Sequence, residues 1–198
     1  MTLEALERSR LGVGDALPHN RRHHLLDADA DVRVRDAALN LLSYRARTRQ
    51  ELGRRLRQKG FHSARIDACL DRLAERGFLD DAAVATAFVR DRLRHRPRGR
   101  AMLSTELRGK GVDVEVAARA IDQVFHDENV SDGDLAEATA RGWVARQSAT
   151  TLAALAPGSD RTERDRVRRR LHAYLTRRGF RGDALSRAMT AATTLSAP

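Results

Sequence analysis

The chain has 198 residues and a formal net charge of +10, with 41% apolar, 32% charged and 4% aromatic residues. This composition supports a modest hydrophobic core, and Gly and Pro are too few for a collagen-like or low-complexity chain. No stretch approaches the roughly 20 apolar residues of a membrane span, and the single cysteine excludes an internal disulfide. We therefore expect a soluble, cytoplasmic, basic protein without a secretory signal.

The positive charge is concentrated in two parts of the chain. Residues 34–79 carry 11 cationic and 5 acidic side chains, and residues 130–198 carry 12 and 7. By contrast, residues 80–129 are balanced at 9 and 9, and residues 1–33 carry 5 and 6. A bias toward arginine codons would explain a uniform excess, because 35 of the 37 cations are arginines. The uneven distribution favours an acidic or polyanionic partner.

The N-terminal residues 1–33 show no sustained apolar periodicity. We predict a loose, flexible tail there, with a short helical turn near Leu3. His19, His23 and His24 have the helical spacing of metal ligands, but no cysteine or well-placed carboxylate completes a site. We expect no metal ion and no other cofactor.

From residue 34 onward the apolar residues recur at helical intervals, without the alternation of a strand. The pattern L-x3-L-x2-[KR]-G-[FV] begins at Leu52, Leu103 and Leu171, at spacings of 51 and 68 residues. A second apolar stripe follows each copy, and an opening helix precedes each. The sequence predicts an all-α protein, an elongated array of three tandem three-helix repeats over residues 34–79, 80–129 and 130–198.

A glycine directly after a cationic residue ends the middle helix of every repeat. Such a position needs a left-handed backbone, and the next residue then packs on the leucine five positions earlier, as Phe61 on Leu56. The predicted helix stops are Gly60, Gly77, Gly111 and Gly179. The predicted helix-start caps are Thr48, Ser63, Asp113, Asp160 and Asp183.

Five linked segments carry the most distinctive motifs: residues 44–52 (YRARTRQEL), 56–61 (LRQKGF), 77–81 (GFLDD), 96–100 (RPRGR) and 106–112 (ELRGKGV). Together they resemble the RecX family of regulatory proteins, over about residues 36–125 and more weakly over 132–192. The resemblance implies three tandem three-helix repeats and a negative modulator of the RecA recombinase. Such a protein lies in the groove of the RecA filament on single-stranded DNA. It damps the filament's ATPase, strand-exchange and coprotease activities, within homologous recombination, DNA repair and the SOS response.

Three arginine clusters are the candidates for binding the filament or DNA. The first lies in repeat 1, the second at the turn formed by Pro97 and Gly99, and the third along repeat 3. Arginine suits either partner, because its guanidinium binds phosphates and carboxylates bidentately. The candidate residues are Arg45, Arg47, Arg49, Arg54, Arg57, Arg96, Arg98, Arg100, Arg164, Arg168, Arg169, Arg170, Arg177 and Arg178.

Four other side chains are predicted to be structural. Tyr44, Trp143 and Tyr174 offer rings for stacking on bases, but each lies beside apolar helix positions and is predicted in the core, as is Cys69. The sequence holds no P-loop, HExxH or GxSxG motif. We therefore expect a protein that is not an enzyme.

Two other functions fit a basic helical array. One is a stand-alone DNA-binding protein, such as a transcriptional regulator with a helix-turn-helix-like pair. The other is an adaptor with a purely protein partner and no DNA affinity. Palindromic recognition would need a dimer, and no heptad seam predicts one. We expect a monomer that binds the RecA filament, single-stranded DNA and also double-stranded DNA, and no membrane.

Overall fold

The computed structural model describes residues 1–9, 18–156 and 158–194, and these residues form helices and connecting turns without a strand. The helices in chain order are α1 (Leu3–Ser9), α2 (His19–Tyr44), α3 (Arg49–Gln58), α4 (Ser63–Glu75), α5 (Asp81–His95), α6 (Arg100–Gly109), α7 (Val114–Asp127), α8 (Asp132–Val144), α9 (Ala149–Ala153), α10 (Arg161–Arg177) and α11 (Gly182–Thr194). Within the described residues, no helix is both long enough and apolar enough to span a bilayer. The chain divides into two compact units, Met1–Val84 and Ala85–Pro198.

Each predicted repeat contains its own hydrophobic core. The first core lies among α2, α3 and α4, the second among α5, α6 and α7, and the third among α8, α10 and α11. Leu56, Leu107 and Leu175, the second leucines of the repeated pattern, are completely buried in these three cores. The prediction of an all-α protein built of three-helix repeats is confirmed.

The four predicted helix stops have the expected backbone. Gly60 has φ +86°, and the N–H of Phe61 donates to the carbonyl of Leu56 across 3.3 Å. Gly77, Gly111 and Gly179 repeat this arrangement, with φ of 73°, 81° and 88°. Asn129, with φ +49°, ends α7 in the same way. It is not among the predicted stops, since asparagine is the less common residue at such positions.

The helix starts agree with the predicted caps at three of five positions. The side chains of Thr48, Asp113 and Asp160 accept backbone N–H groups of the helices that follow. Ser63 and Asp183 are not caps, because each already lies inside the first turn of its helix. There a carboxylate such as that of Asp183 still favours the positive end of the helix dipole.

The N-terminal region differs from the predicted loose tail. Residues 19–33 form the first half of α2, and α1 packs against this helix with Ala5 buried. The buried positions Leu25 and Val32 of α2 lie two turns apart, which is too sparse to appear as an apolar stripe in the sequence. Residues 10–17, part of the predicted tail, lie outside the described residues.

The side chains predicted to lie in the core are buried in most cases, with one exception. Trp143 and Cys69 are buried as predicted, and Tyr174 packs at the edge of the third core. The prediction is wrong for Tyr44, which is 79% exposed. Tyr44 is the last residue of α2 and lies beyond Leu41 and Leu42, which pack on the first core.

Candidate anion-binding groove

Two of the candidate arginines connect helices within the fold. Arg49 begins α3, where its backbone N–H donates to the Asp81 carboxylate across 2.8 Å and its guanidinium lies 2.6 Å from Asp71. The equivalent contacts of α6, 51 residues later, are made by Arg100 with Asp132 and Asp122. The guanidinium of each arginine therefore already has a carboxylate partner inside its own repeat.

The third repeat lacks this arrangement. The spacing of 68 residues makes Arg168 the equivalent of Arg100, and Thr190 the equivalent of Asp122. Arg168 is exposed and has no ion pair among the described residues. A threonine in place of the aspartate thus leaves the Arg168 guanidinium available for an external partner.

The other arginines of the first cluster fall into two groups. Arg45 lies 3.0 Å from the Glu51 carboxylate, and Nε of Arg47 donates to the carbonyl of Leu41 across 3.0 Å. Burial lowers the pKa of Arg47, with the positive charge of Arg45 adding to the effect. Arg54 and Arg57 are exposed on α3, and neither forms an ion pair with another described residue.

The third cluster presents the largest group of unpaired cations. Along α10 the ion pairs among described residues are those of Arg161 with Asp165 and of Arg166 with Glu163, both weak at 4.0 and 3.8 Å. The candidate arginines of this helix and its end, without a carboxylate partner in the described part of the chain, are Arg164, Arg168, Arg169, Arg170, Arg177 and Arg178.

The second cluster lies against the end of α10 through a contact between two glycines. The Gly99 N–H donates to the carbonyl of Arg178 across 2.8 Å. A Cβ on Gly99 would lie 2.6 Å from the carbonyl oxygen of Gly179, and one on Gly179 would lie 2.5 Å from the backbone N of Met102. Because no side chain fits at either position, the RPRGR turn can approach α10 closely enough to place its arginines beside Arg178.

This contact borders an open groove of about 670 Å³ in the second unit. The groove is formed by the turn after α5, by α8 and by the C-terminal part of α10. Its polar lining side chains are four arginines, a histidine, a threonine and a tyrosine, and none of the described lining residues is acidic. We call this site the basic groove, and these seven polar lining residues are His95, Arg96, Arg98, Thr139, Arg146, Tyr174 and Arg178.

Tyr174 organises one wall of the basic groove. The Arg178 guanidinium stacks over its ring, 3.8 Å from the ring centroid, and Nη2 of Arg146 donates to its hydroxyl across 2.9 Å. Burial lowers the pKa of Arg178, and the positive charges of Arg98, Arg146 and Arg177 lower it further. The guanidinium groups therefore repel one another across the groove, and a bound anion would relieve that repulsion.

Two buried polar atoms of the basic groove make no hydrogen bond to the described residues. They are Nε of Arg98 and the hydroxyl oxygen of Thr139. The counter-charge nearest to Arg98 is Glu106 at 3.7 Å, which also accepts from Arg92 at 2.8 Å. Buried donors without partners are rare in folded proteins and often mark a position where a ligand or water completes the bonding.

The structure thus brings together three of the predicted arginines, Arg96, Arg98 and Arg178. Arg146 and Thr139 are not among the residues predicted from the sequence. No motif in the sequence singles out Arg146, which lies outside the three arginine clusters, and threonines such as Thr139 are common on helix surfaces.

The fold and this groove describe a small basic protein of three-helix repeats with a groove lined by arginines. Comparison with known proteins identifies the family. Models of the first and second three-helix domains of RecX match residues 35–73 and 80–121. A Regulatory protein RecX from Halorhodospira halophila is 34% identical over 163 residues, covering 82% of this chain and 90% of the relative. Another, from Mycobacterium sp. (strain JLS), is 37% identical over 142 residues, 72% of each chain.

The chain belongs to the RecX family of regulatory proteins. Solved structures show the same fold. A crystal structure of regulatory protein RecX matches with a TM-score of 0.71 at 21% identity, covering 92% of this chain and 84% of that one. The crystal structure of RecX from Lactobacillus salivarius matches with a TM-score of 0.64 at 21% identity, over 84% of this chain and 99% of that one.

Proposed function

We propose that this chain is a non-enzymatic negative regulator of RecA. It binds as a monomer in the groove of the RecA–single-stranded DNA filament, in the cytoplasm, and inhibits the ATPase, strand-exchange and coprotease activities of the filament. Membership of the RecX family, at 34–37% identity over most of the chain, is the observation that carries this proposal.

The distribution of unpaired arginines supports the proposal. A filament on single-stranded DNA offers phosphates and acidic protein surfaces, and arginine binds both bidentately. Two groups of exposed arginines without a carboxylate partner in the described residues face solvent on α3 and α10. They are Arg54 and Arg57 on α3, and Arg168, Arg169, Arg170 and Arg177 on α10.

The test measures ATP hydrolysis by RecA on single-stranded DNA, with this protein added at substoichiometric amounts. We expect hydrolysis to fall well below the rate without the protein at one molecule per several RecA protomers, because a groove-bound molecule contacts neighbouring protomers. Bovine serum albumin at the same concentration serves as the control.

Two results would contradict the proposal. Unchanged ATP hydrolysis together with sequence-specific binding to duplex DNA would favour a transcriptional regulator. Unchanged hydrolysis with no DNA affinity would favour an adaptor for a protein partner. Strand exchange and the coprotease reaction, measured at the same ratios, extend the test to the other two activities.

A further inference from the structure

We propose that the basic groove between the turn after α5 and helices α8 and α10 binds the phosphodiester backbone of single-stranded nucleic acid. The inference deepens the proposed function, since it assigns one part of this chain to the strand rather than to RecA. It concerns the isolated protein, however, and is testable without RecA.

The arrangement of the donors favours phosphate over carboxylate. Guanidinium groups reach the groove from three separate elements: the turn with Arg96 and Arg98, the residues after α8 with Arg146, and the end of α10 with Arg178. A carboxylate and a phosphodiester each carry one negative charge on two oxygens, but a nucleic acid strand presents phosphodiesters in a row. Guanidinium groups that reach the groove from separate elements can therefore each bind phosphate of one strand.

The local charge balance favours a polyanion. The described residues that line the groove include four arginines and no acidic side chain. Burial and the neighbouring arginines already disfavour the charged form of Arg178, which has a lowered pKa. The hydroxyl of Thr139 is a buried polar atom that forms no hydrogen bond with the described residues, and Nε of Arg98 forms none either, with Glu106 as its counter-charge at 3.7 Å. A bound phosphate would stabilise each of these groups, because it supplies negative charge and hydrogen-bond acceptors.

The volume of the groove and the contact of Arg178 with the Tyr174 ring in its wall favour a single strand over a duplex. A volume of about 670 Å³ lies within the range of pockets that enclose small ligands, so it holds a nucleotide or two and not the width of a duplex. The guanidinium carbon of Arg178 lies over the Tyr174 ring, 3.8 Å from the ring centroid. Stacked guanidinium and aromatic planes are the usual platform for unpaired bases.

The experiment measures fluorescence anisotropy of a labelled oligothymidylate of about 20 nucleotides, with the full chain and without RecA. Arg146→Gln and Arg178→Gln are each expected to weaken binding about tenfold at about 0.1 M salt. Each is also expected to reduce the slope of log affinity against log salt by about 0.7, the value for one phosphate contact on a single strand. Tyr174→Phe, which retains the ring and removes the hydroxyl, is expected to weaken binding two- to threefold.

Arg119→Gln is the matched control, because Arg119 is an exposed arginine of the same unit, outside the groove. It removes the same charge and is expected to change the affinity less than twofold, with an unchanged slope. Circular dichroism and the thermal midpoint of each variant verify that the fold is retained.

Several outcomes would overturn the groove assignment. One is that the wild type does not bind the oligonucleotide, and another is that the groove variants bind as tightly as Arg119→Gln. Displacement of the oligonucleotide by tripolyphosphate at equal phosphate concentration would assign the groove to small polyphosphates. Displacement by polyglutamate at equal charge would assign it to acidic proteins. These failures differ from failure of the proposed function, which is a wild-type protein that leaves RecA ATP hydrolysis unchanged.

Discussion

Two glycines with nearly the same backbone conformation differ in their surroundings. Gly60 and Gly179 have φ of 86° and 88°. A Cβ on Gly60 would meet no atom within 4 Å, whereas one on Gly179 would lie 2.5 Å from the backbone N of Met102. Gly60 is therefore required by its backbone conformation alone. Gly179 is required both by conformation and by the close approach of the next element.

Replacing each of these glycines by alanine separates the two effects. Gly60→Ala is expected to cost about 1 kcal/mol, the cost of a left-handed non-glycine residue. Gly179→Ala is expected to cost about 2–4 kcal/mol, because the backbone of α6 must also move. Urea unfolding of the full chain, followed by circular dichroism, measures both. Equal losses for the two variants would contradict the role of the close contact.

At the scale of the helices, ion pairs connect elements that the apolar pattern does not connect. The carboxylate of Glu4 on α1 accepts two hydrogen bonds from the Arg35 guanidinium on α2, one of them 2.6 Å long. The buried carboxylate of Asp29 accepts the backbone N–H of Thr2. The short helix α1 is thus held on α2 by charged groups at its N-terminal end, next to the buried Ala5.

The packing of α1 is expected to depend on pH. The hydrogen bond from Arg35 lowers the pKa of Glu4 below its ordinary value of 4.5, and the bond from Thr2 lowers that of Asp29. A carboxyl group with a lower pKa in the folded state contributes stability above its ordinary pKa and loses it as the pH falls through the lowered value. The contact is therefore complete near neutral pH and weakens below about pH 4.5.

Hydrogen exchange measures this dependence at the amide of Leu6, which bonds to the carbonyl of Thr2. Its protection factor is expected to fall as the pH decreases from 6 to 3, more steeply than that of amides in α3. Glu4→Gln is expected to show reduced protection already at pH 6. Constant protection over the whole range in the wild type would show that apolar packing alone holds α1.

At the scale of the whole molecule, the number of arginines without a carboxylate partner indicates the capacity to bind an anionic ligand better than the net charge of +10 does. The guanidinium groups of Arg49 and Arg100 have carboxylate partners within their repeats. They count toward the net charge but are less available to bind a ligand. Arg168, their equivalent, has no ion pair among the described residues, and Arg169 and Arg170 follow it on α10. The third repeat therefore carries more of the binding capacity than the charge sums indicate.

Charge reversal tests this distribution. Replacing Arg168, Arg169 and Arg170 together by glutamate is expected to raise the concentration for half-maximal inhibition of RecA at least tenfold, since three attractive contacts become repulsive. The control replaces three exposed arginines elsewhere, Arg22, Arg76 and Arg119, and changes the net charge by the same amount. Equal losses in both variants would indicate a nonspecific charge effect rather than a contact made by α10.

Most of the fold is predictable from the sequence because its determinants are local. The spacing of the leucines and the glycine after each cation depend on helix geometry over about ten residues, as at Leu52, Leu56 and Gly60. The repetition of this pattern at spacings of 51 and 68 residues shows that the same unit recurs. The position of α1 and the first half of α2 is not predictable in this way. It depends on a few contacts such as that of Glu4 with Arg35, 31 residues apart.

The arginine-rich character of the proposed binding surface was therefore determined by the sequence, and the tertiary structure decided which arginines lack a carboxylate partner. Arg49 and Arg54 look alike in the sequence, but Asp71, the carboxylate partner of Arg49, lies 22 residues away and Arg54 has no such partner among the described residues. The groove depends on the contact of Gly99 with Gly179, 80 residues apart, and on Arg146 from the turn after α8. Local patterns specify helices and their ends, whereas a site formed by three helices exists only after the chain has packed.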